Sequence, residues 1–132
     1  MNLRKKLTAG EFVLLAQMET PRGVDISELL TSAQRLKGRV DAVVVPDMDY
    51  GAMRLSACAA AALMHQMGIE PVIHVYGRDR NQMALQSDLL GAFVLGLRNL
   101  VVVRAEDGIH FTYEGAAHLG RYLLELLAAE WG

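Results

Sequence analysis

The side chains best suited to chemistry stand where apolar runs end. His74 lies near the close of the run Pro71 to Tyr76, and Asp79-Arg80-Asn81 follow three residues after it. An imidazole in that position either contacts a ligand or is satisfied by neighbouring backbone. The Asp-Arg-Asn triplet can line a polar site, or it can open a helix with Asp79 as the cap and a surface ion pair of little worth. Asp107, His110 and Thr112 suit the start of a last helix in the same way. His65 and His118 fall inside helical stretches, and no spacing to Cys, Asp or another His suggests three or four metal ligands. Cys58, the one cysteine, is embedded in Ser56-Ala57-Cys58-Ala59-Ala60 and reads as a small core residue. Met48, Met53, Met64, Met67 and Met83 would form a binding surface only by converging, and otherwise fill gaps in a core. Gly91 and Gly96 stand five apart within a helical stretch, outside any strand-to-helix loop, so they make no dinucleotide fingerprint. They read as permitting close approach of a helix to a sheet.

Four short apolar runs must position these groups: Phe12 to Met18, Asp41 to Val45, Pro71 to Tyr76 and Leu100 to Val103. Each is nearly continuous in Val, Ile and Leu, as expected of parallel strands covered on both faces. Segments of helical period alternate with them. The first starts at Asp25, where Asp25 and Glu28 have capping-box spacing, and ends at Gly38. The second runs from about Ala52 to Met67, with Gly68 as a C-terminal glycine cap. The third begins after Asp79 and turns Met83, Leu85, Leu89, Leu90, Phe93 and Leu95 towards the sheet. The fourth covers Tyr113 to Ala129, with Leu119, Tyr122, Leu123, Leu126 and Leu127 as its stripe, and Leu3 to Ala9 is a short leading helix.

Composition sets the outer bounds. The chain has 132 residues, 52% of them apolar, enough for a single α/β domain over 1–132. A closed eightfold barrel of βα units typically takes ~250 residues, so a complete one is excluded. With 13 Lys+Arg against 15 Asp+Glu, the formal net charge is −2, which offers nothing to a nucleic-acid backbone or an anionic membrane. Mean hydropathy is +0.21, but no run of eighteen apolar residues occurs. A cytoplasmic protein is expected.

Two stretches resemble known families. Glu11-Phe12-Val13-Leu14-Leu15-Ala16-Gln17-Met18-Glu19-Thr20-Pro21-Arg22-Gly23, then Asp41-Ala42-Val43-Val44-Val45-Pro46-Asp47, resemble the first two βα units of methylenetetrahydrofolate reductase. Gly68 to Asn81 and the helix Ala84-Leu85-Gln86-Ser87-Asp88-Leu89-Leu90-Gly91-Ala92 continue the likeness, which covers about 3–104. The resemblance implies the first half of a flavin-dependent barrel. It aligns the family's proton-supplying carboxylic acid with Gln17, a neutral amide unable to act as a general acid. Glu19, two residues on, is the catalytic substitute that the resemblance offers. His74, Arg104, Glu106 and Asp107 take the cofactor-binding positions, and FAD is the cofactor if such a site survives.

From about 107 to 132 the chain instead resembles the closing segment of SGNH-type hydrolases, whose Asp-x-x-His pair would be Asp107 and His110. No Gly-Asp-Ser block supplies the nucleophile such a pair activates. The two likenesses together imply a chain recombined near 104–107, with little or no catalysis and no cofactor.

Four βα units admit two arrangements. A flavodoxin-like, doubly wound order 2-1-3-4 covers both sheet faces and is preferred on that ground. The alternative, a half barrel in the order 1-2-3-4, leaves a concave face for water or for a second chain, making a homodimer its natural partner. A weak flavin or folate ligand is the small-molecule expectation, with no nucleic acid and no membrane.

Overall fold

A computed structural model describes residues 3–48 and 51–103. Its elements are α1 (Leu3–Thr8), β1 (Leu15–Gln17), α2 (Ser27–Leu36), β2 (Ala42–Val45), α3 (Ala57–Gln66), β3 (Pro71–Tyr76), α4 (Gln82–Val94) and β4 (Asn99–Val103). All four strands are parallel and the sheet is open, as the apolar runs imply. The expected fourth helix, Tyr113 to Ala129, lies outside the described residues.

The strand order is β1-β2-β3-β4, so the doubly wound order 2-1-3-4 is replaced by the half-barrel alternative. The physical reason is visible in the packing. Val43, Val45, Ile73 and Val75 form one core with Leu29 and Ala33 of α2, Ala60 and Met64 of α3, and Leu85 and Leu89 of α4. All three crossover helices therefore cover one face, as right-handed connections between sequential parallel neighbours require. Small side chains make the middle of this layer possible: Ala57, Ala60 and Ala61 are buried on α3, where bulk would push the helix off the strands.

The opposite face is less bare than the sequence implies. Register and alternation assign Leu15, Gln17, Ala42, Val44, Val72, His74, Tyr76 and Val101 to it. At the N-terminal ends of the strands, α1 seals it, with Leu3 packed on Ala42 and Val72. Polar groups lock that seal. The Glu70 carboxylate accepts the Leu3 N–H at 3.1 and 3.2 Å and a hydrogen bond from Asn99 Nδ2 at 3.0 Å. Lys6 pairs with Asp41, whose other oxygen accepts the Leu14 N–H at 2.8 Å.

Several local expectations shift. β1 shrinks to three residues, because only part of the Phe12 to Met18 run finds a partner strand. The Asp25–Glu28 capping box is absent; Asp25 Oδ1 instead accepts from the Ser27 N–H at 3.0 Å and the Ser27 hydroxyl at 2.7 Å. The helix expected after Asp79 is α4, and it is capped by Asn81, whose Oδ1 accepts the Ala84 N–H at 2.8 Å, while Asp79 pairs with Arg78. On α4 only Leu85, Leu89 and Ala92 are buried, while Met83, Leu90 and Phe93, together with the C-cap Leu95, are exposed and do not face the sheet. A Cβ at Gly91 would meet nothing within 4 Å, so that glycine mediates no close approach. Gly68 does close its helix, at φ +83°.

Candidate functional site

Ligands of parallel sheets bind at the carboxyl ends of the strands, and here that rim is built from the segments following β1, β2 and β3. Gln17 is on the concave face of β1. Its register neighbour is Val44, which pairs with Val72, and His74 is one step further up on that same face. Carrying the register upwards places Glu19 level with His74 and two strands away, about 10 Å at ordinary strand spacing. No direct hydrogen bond links them at that distance.

Glu19 is paired with a cation. Its Oε2 lies 3.2 Å from Arg54 Nη2, and Arg54 Nη1 donates to the Thr20 carbonyl at 2.6 Å. The buried Thr20 hydroxyl donates to the Leu55 carbonyl at 2.6 Å, and the Leu55 N–H to the Pro21 carbonyl at 2.8 Å. These bonds zip the segment after β1 to the segment before α3, with Glu19 as one tooth. Arg54 carries no motif that would have marked it, because its partner is distant in sequence.

His74 is half-buried, with Nδ1 3.4 Å from the Tyr76 hydroxyl and the two rings inclined at 50°. Both side chains follow from strand alternation on β3, so Tyr76 was legible as a same-face companion. The other resemblance-based positions, Arg104, Glu106 and Asp107, lie outside the described residues, as do His110 and Thr112.

Asp79, Arg80 and Asn81 divide between two tasks. Asn81 caps α4, and Arg80 reaches across to Asp47, a residue only 4% exposed at the end of β2. Arg80 Nη1 is 2.6 Å from Asp47 Oδ2, and Arg80 Nε is 3.0 Å from Asp88 Oδ2 on α4. Asp47 Oδ1 also accepts the Ala57 N–H at 3.1 Å, which holds a carboxylate at the N-terminus of α3. Arg80 and Asn81 thus serve two helix starts and one strand end, while Asp79 meets only its neighbour Arg78. Beside it, Arg78 donates to the Met48 carbonyl at 2.9 Å, and Met48 has φ +50°, a left-handed backbone that a non-glycine residue rarely adopts.

Cys58 borders a small cleft of about 90 Å³ with Asp47, His74, Arg80 and Asp88. Burial, reinforced by the carboxylates of Asp88 and Asp47, pushes its thiol pKa above the ordinary range. A poorly ionised thiol is a weak nucleophile, in keeping with packing against the helix–sheet core. Among the described residues no group of three His, Cys, Asp or Glu side chains is arranged to hold a metal ion. No described helix is long and apolar enough to cross a membrane.

The family model described as methylenetetrahydrofolate reductase matches residues 2–128. The chain belongs to that family. The match extends across 104–107 and through most of the segment that resembles SGNH hydrolases, so one family accounts for nearly the whole sequence. No curated protein matches the chain.

Proposed function

We propose that this methylenetetrahydrofolate reductase-family domain is a scaffold that does not reduce methylenetetrahydrofolate. One observation carries the reading: Glu19, the carboxylate nearest to the Gln17 that the resemblance sets against the family's acid, is ion-paired with Arg54. A general acid must hold a transferable proton within reach of substrate. An amide has none, and a carboxylate bound to a guanidinium serves the loop instead. The family match across 104–107 supports descent from a single parent and removes the motive for recombination with a hydrolase.

A second reading, retention of flavin or folate binding without turnover, is favoured by His74 standing half-buried on the concave face beside Tyr76. One histidine does not make a flavin cradle, and the described residues do not fit that group by themselves, so no chemical step follows from it. The test is the absorbance spectrum of the purified protein, alone and with excess FAD or FMN, followed by an assay with methylenetetrahydrofolate and a reductant. The scaffold reading expects no bound flavin and no product. Saturable flavin binding alone would establish the second reading, and turnover would overturn both.

A further inference from the structure

We infer that the end of the sheet at which the strands begin is a docking surface for an anionic lipid bilayer. The formal net charge of −2 argues against such a partner only where charge is spread evenly. Here it is divided along the strand axis. Exposed Asp25, Glu28 and Asp79 stand at the rim end, in the segments that follow β1 and β3. At the opposite end Lys5 of α1, Arg35 in the last turn of α2, and Lys37 and Arg39 on the way to β2 are all exposed. None of these four side chains has a hydrogen bond or ion pair with another described residue. The carboxylates near them are engaged elsewhere. Asp41 is held by Lys6 and the Leu14 N–H, and Glu70 by the Leu3 N–H and Asn99, which leaves exposed Glu11 as the free acid among the described residues of this end.

Exposed apolar side chains accompany these cations. Leu7 of α1 is 60% exposed and Phe12 is 86% exposed. The Gly10 N–H donates to the Leu7 carbonyl at 3.2 Å and the Glu11 N–H to the Lys6 carbonyl at 3.0 Å, so the chain folds back on α1 and Phe12 follows one residue beyond that turn. Apolar groups bordered by lysine and arginine are what a surface lying at the headgroup boundary requires: the former enter the acyl layer and the latter meet anionic headgroups. A nucleic-acid backbone would use the cations and leave Leu7 and Phe12 in water. Contact of this kind needs no helix that crosses the bilayer, in keeping with the described helices. It also leaves the rim of Gln17, Glu19 and His74, at the other end of the strands, turned away from the lipid. The inference does not rest on the scaffold reading or on any ligand at that rim.

Co-sedimentation of the full chain with lipid vesicles tests it without flavin or folate, so its outcome is independent of the functional assay. Binding is expected to phosphatidylcholine vesicles that contain phosphatidylserine and not to phosphatidylcholine alone. It should fade with salt, as the Debye length falls from about 10 Å at 0.1 M to about 3 Å at 1 M. Phe12→Ser should weaken the binding ~10-fold by removing the inserted ring. Lys5→Glu combined with Arg39→Glu should weaken it ~25-fold or more, at ~5-fold for each cation lost. All three positions are exposed, so far-UV circular dichroism should be retained; if Phe12→Ser loses that signal, the charge variant carries the test. Absence of binding to the anionic vesicles, equal binding to neutral ones, or binding that the charge variant leaves intact overturns the inference. So does a protein that ignores the vesicles and binds a DNA duplex.

Discussion

Replacing Arg80 by Met tests whether the Asp-Arg-Asn triplet builds the fold or serves a ligand. Asp47 is 4% exposed and accepts two hydrogen bonds, from Arg80 at 2.6 Å and from the Ala57 N–H at 3.1 Å. Removing one partner of a buried ion pair typically costs ~3–5 kcal/mol, because the remaining charge is left uncompensated. Two features reduce that figure here. Arg80 is itself 21% exposed, so water reaches part of the pair, and the α3 N-terminus continues to stabilise the Asp47 carboxylate. A loss of about 2 kcal/mol is expected. With a urea m-value of about 2 kcal/mol/M, it appears as a midpoint lowered by ~1 M in denaturation followed by circular dichroism at fixed protein concentration. Asp47→Asn in the Arg80→Met background should recover part of the loss, since the uncompensated charge is gone while an oxygen still accepts the Ala57 N–H. The sum of the single effects should then exceed the double by at least ~0.5 kcal/mol, the signature of coupled residues. A midpoint unchanged by Arg80→Met, or strict additivity in the double variant, would refute the structural assignment and return Arg80 to the candidates for ligand binding.

Three further outcomes follow from local geometry. Gly91→Ala should stabilise the protein by ~0.5–1 kcal/mol, because this helical glycine is exposed with open space around a built Cβ, whereas Gly96→Ala should destabilise it by at least ~1 kcal/mol. Gly96 has φ +87° and a Cβ there would stand 2.7 Å from His65 Nε2; equal thermal midpoints for the two variants would contradict this. Docking of α1 should weaken at both pH extremes. The hydrogen bond from Lys6 and the Leu14 N–H hold the Asp41 pKa below its ordinary value of 3.8, so that contribution is present above about pH 4 and fades as pH falls through the folded value. The hydrogen bond to Asp41 raises Lys6 above 10.5, so its contribution is present below that pH and fades as pH rises through the folded value. Asp41→Asn should flatten both limbs of the stability profile, and an unaltered profile would count against the pair. Cys58 should react with a thiol reagent more slowly in the native protein than in urea at the same pH, because burial raises its pKa; equal rates would show an accessible thiolate.

The strand and helix sequence was legible because burial leaves a one-dimensional trace. Pro71 to Tyr76 appears as a strand with the bounds its apolar run suggests, since both faces of β3 are covered. Strand order left no such trace. Both arrangements use the same βα units, and the preference for covering both faces assumed that the concave side had nothing of its own. The short α1 changes that balance, by setting Leu3 on Ala42 and Val72 and fixing its N-terminus through Glu70. Helix starts were misassigned for a related reason. Asp25, Asp79 and Asn81 all have capping chemistry, and only three-dimensional position decides that Asn81 caps while Asp79 meets Arg78. At the site, alternation identified Gln17 and Glu19 as neighbours on one strand, but the Arg54 partner that decides what Glu19 can do is 35 residues from it in the chain.

The charged groups of the rim share a pattern that bears on function. Glu19 is bound to Arg54, Arg78 to Asp79 and the Met48 carbonyl, and Arg80 to Asp47 and Asp88. In each case a guanidinium that could have met an anionic cofactor joins two segments of this chain. Such pairs resist displacement unequally. The exposed Arg78–Asp79 contact is worth little and would yield to a phosphate, while Asp47 and Arg80 form a buried unit whose disruption loosens two helix starts. Of the two arginines after β3, Arg78 therefore has the weaker acidic partner, although it also donates to the Met48 carbonyl. Arg78→Ala should then cost less stability than Arg80→Met, read as a smaller drop in the urea midpoint, and an equal or larger drop would show the outer contact to be structural too.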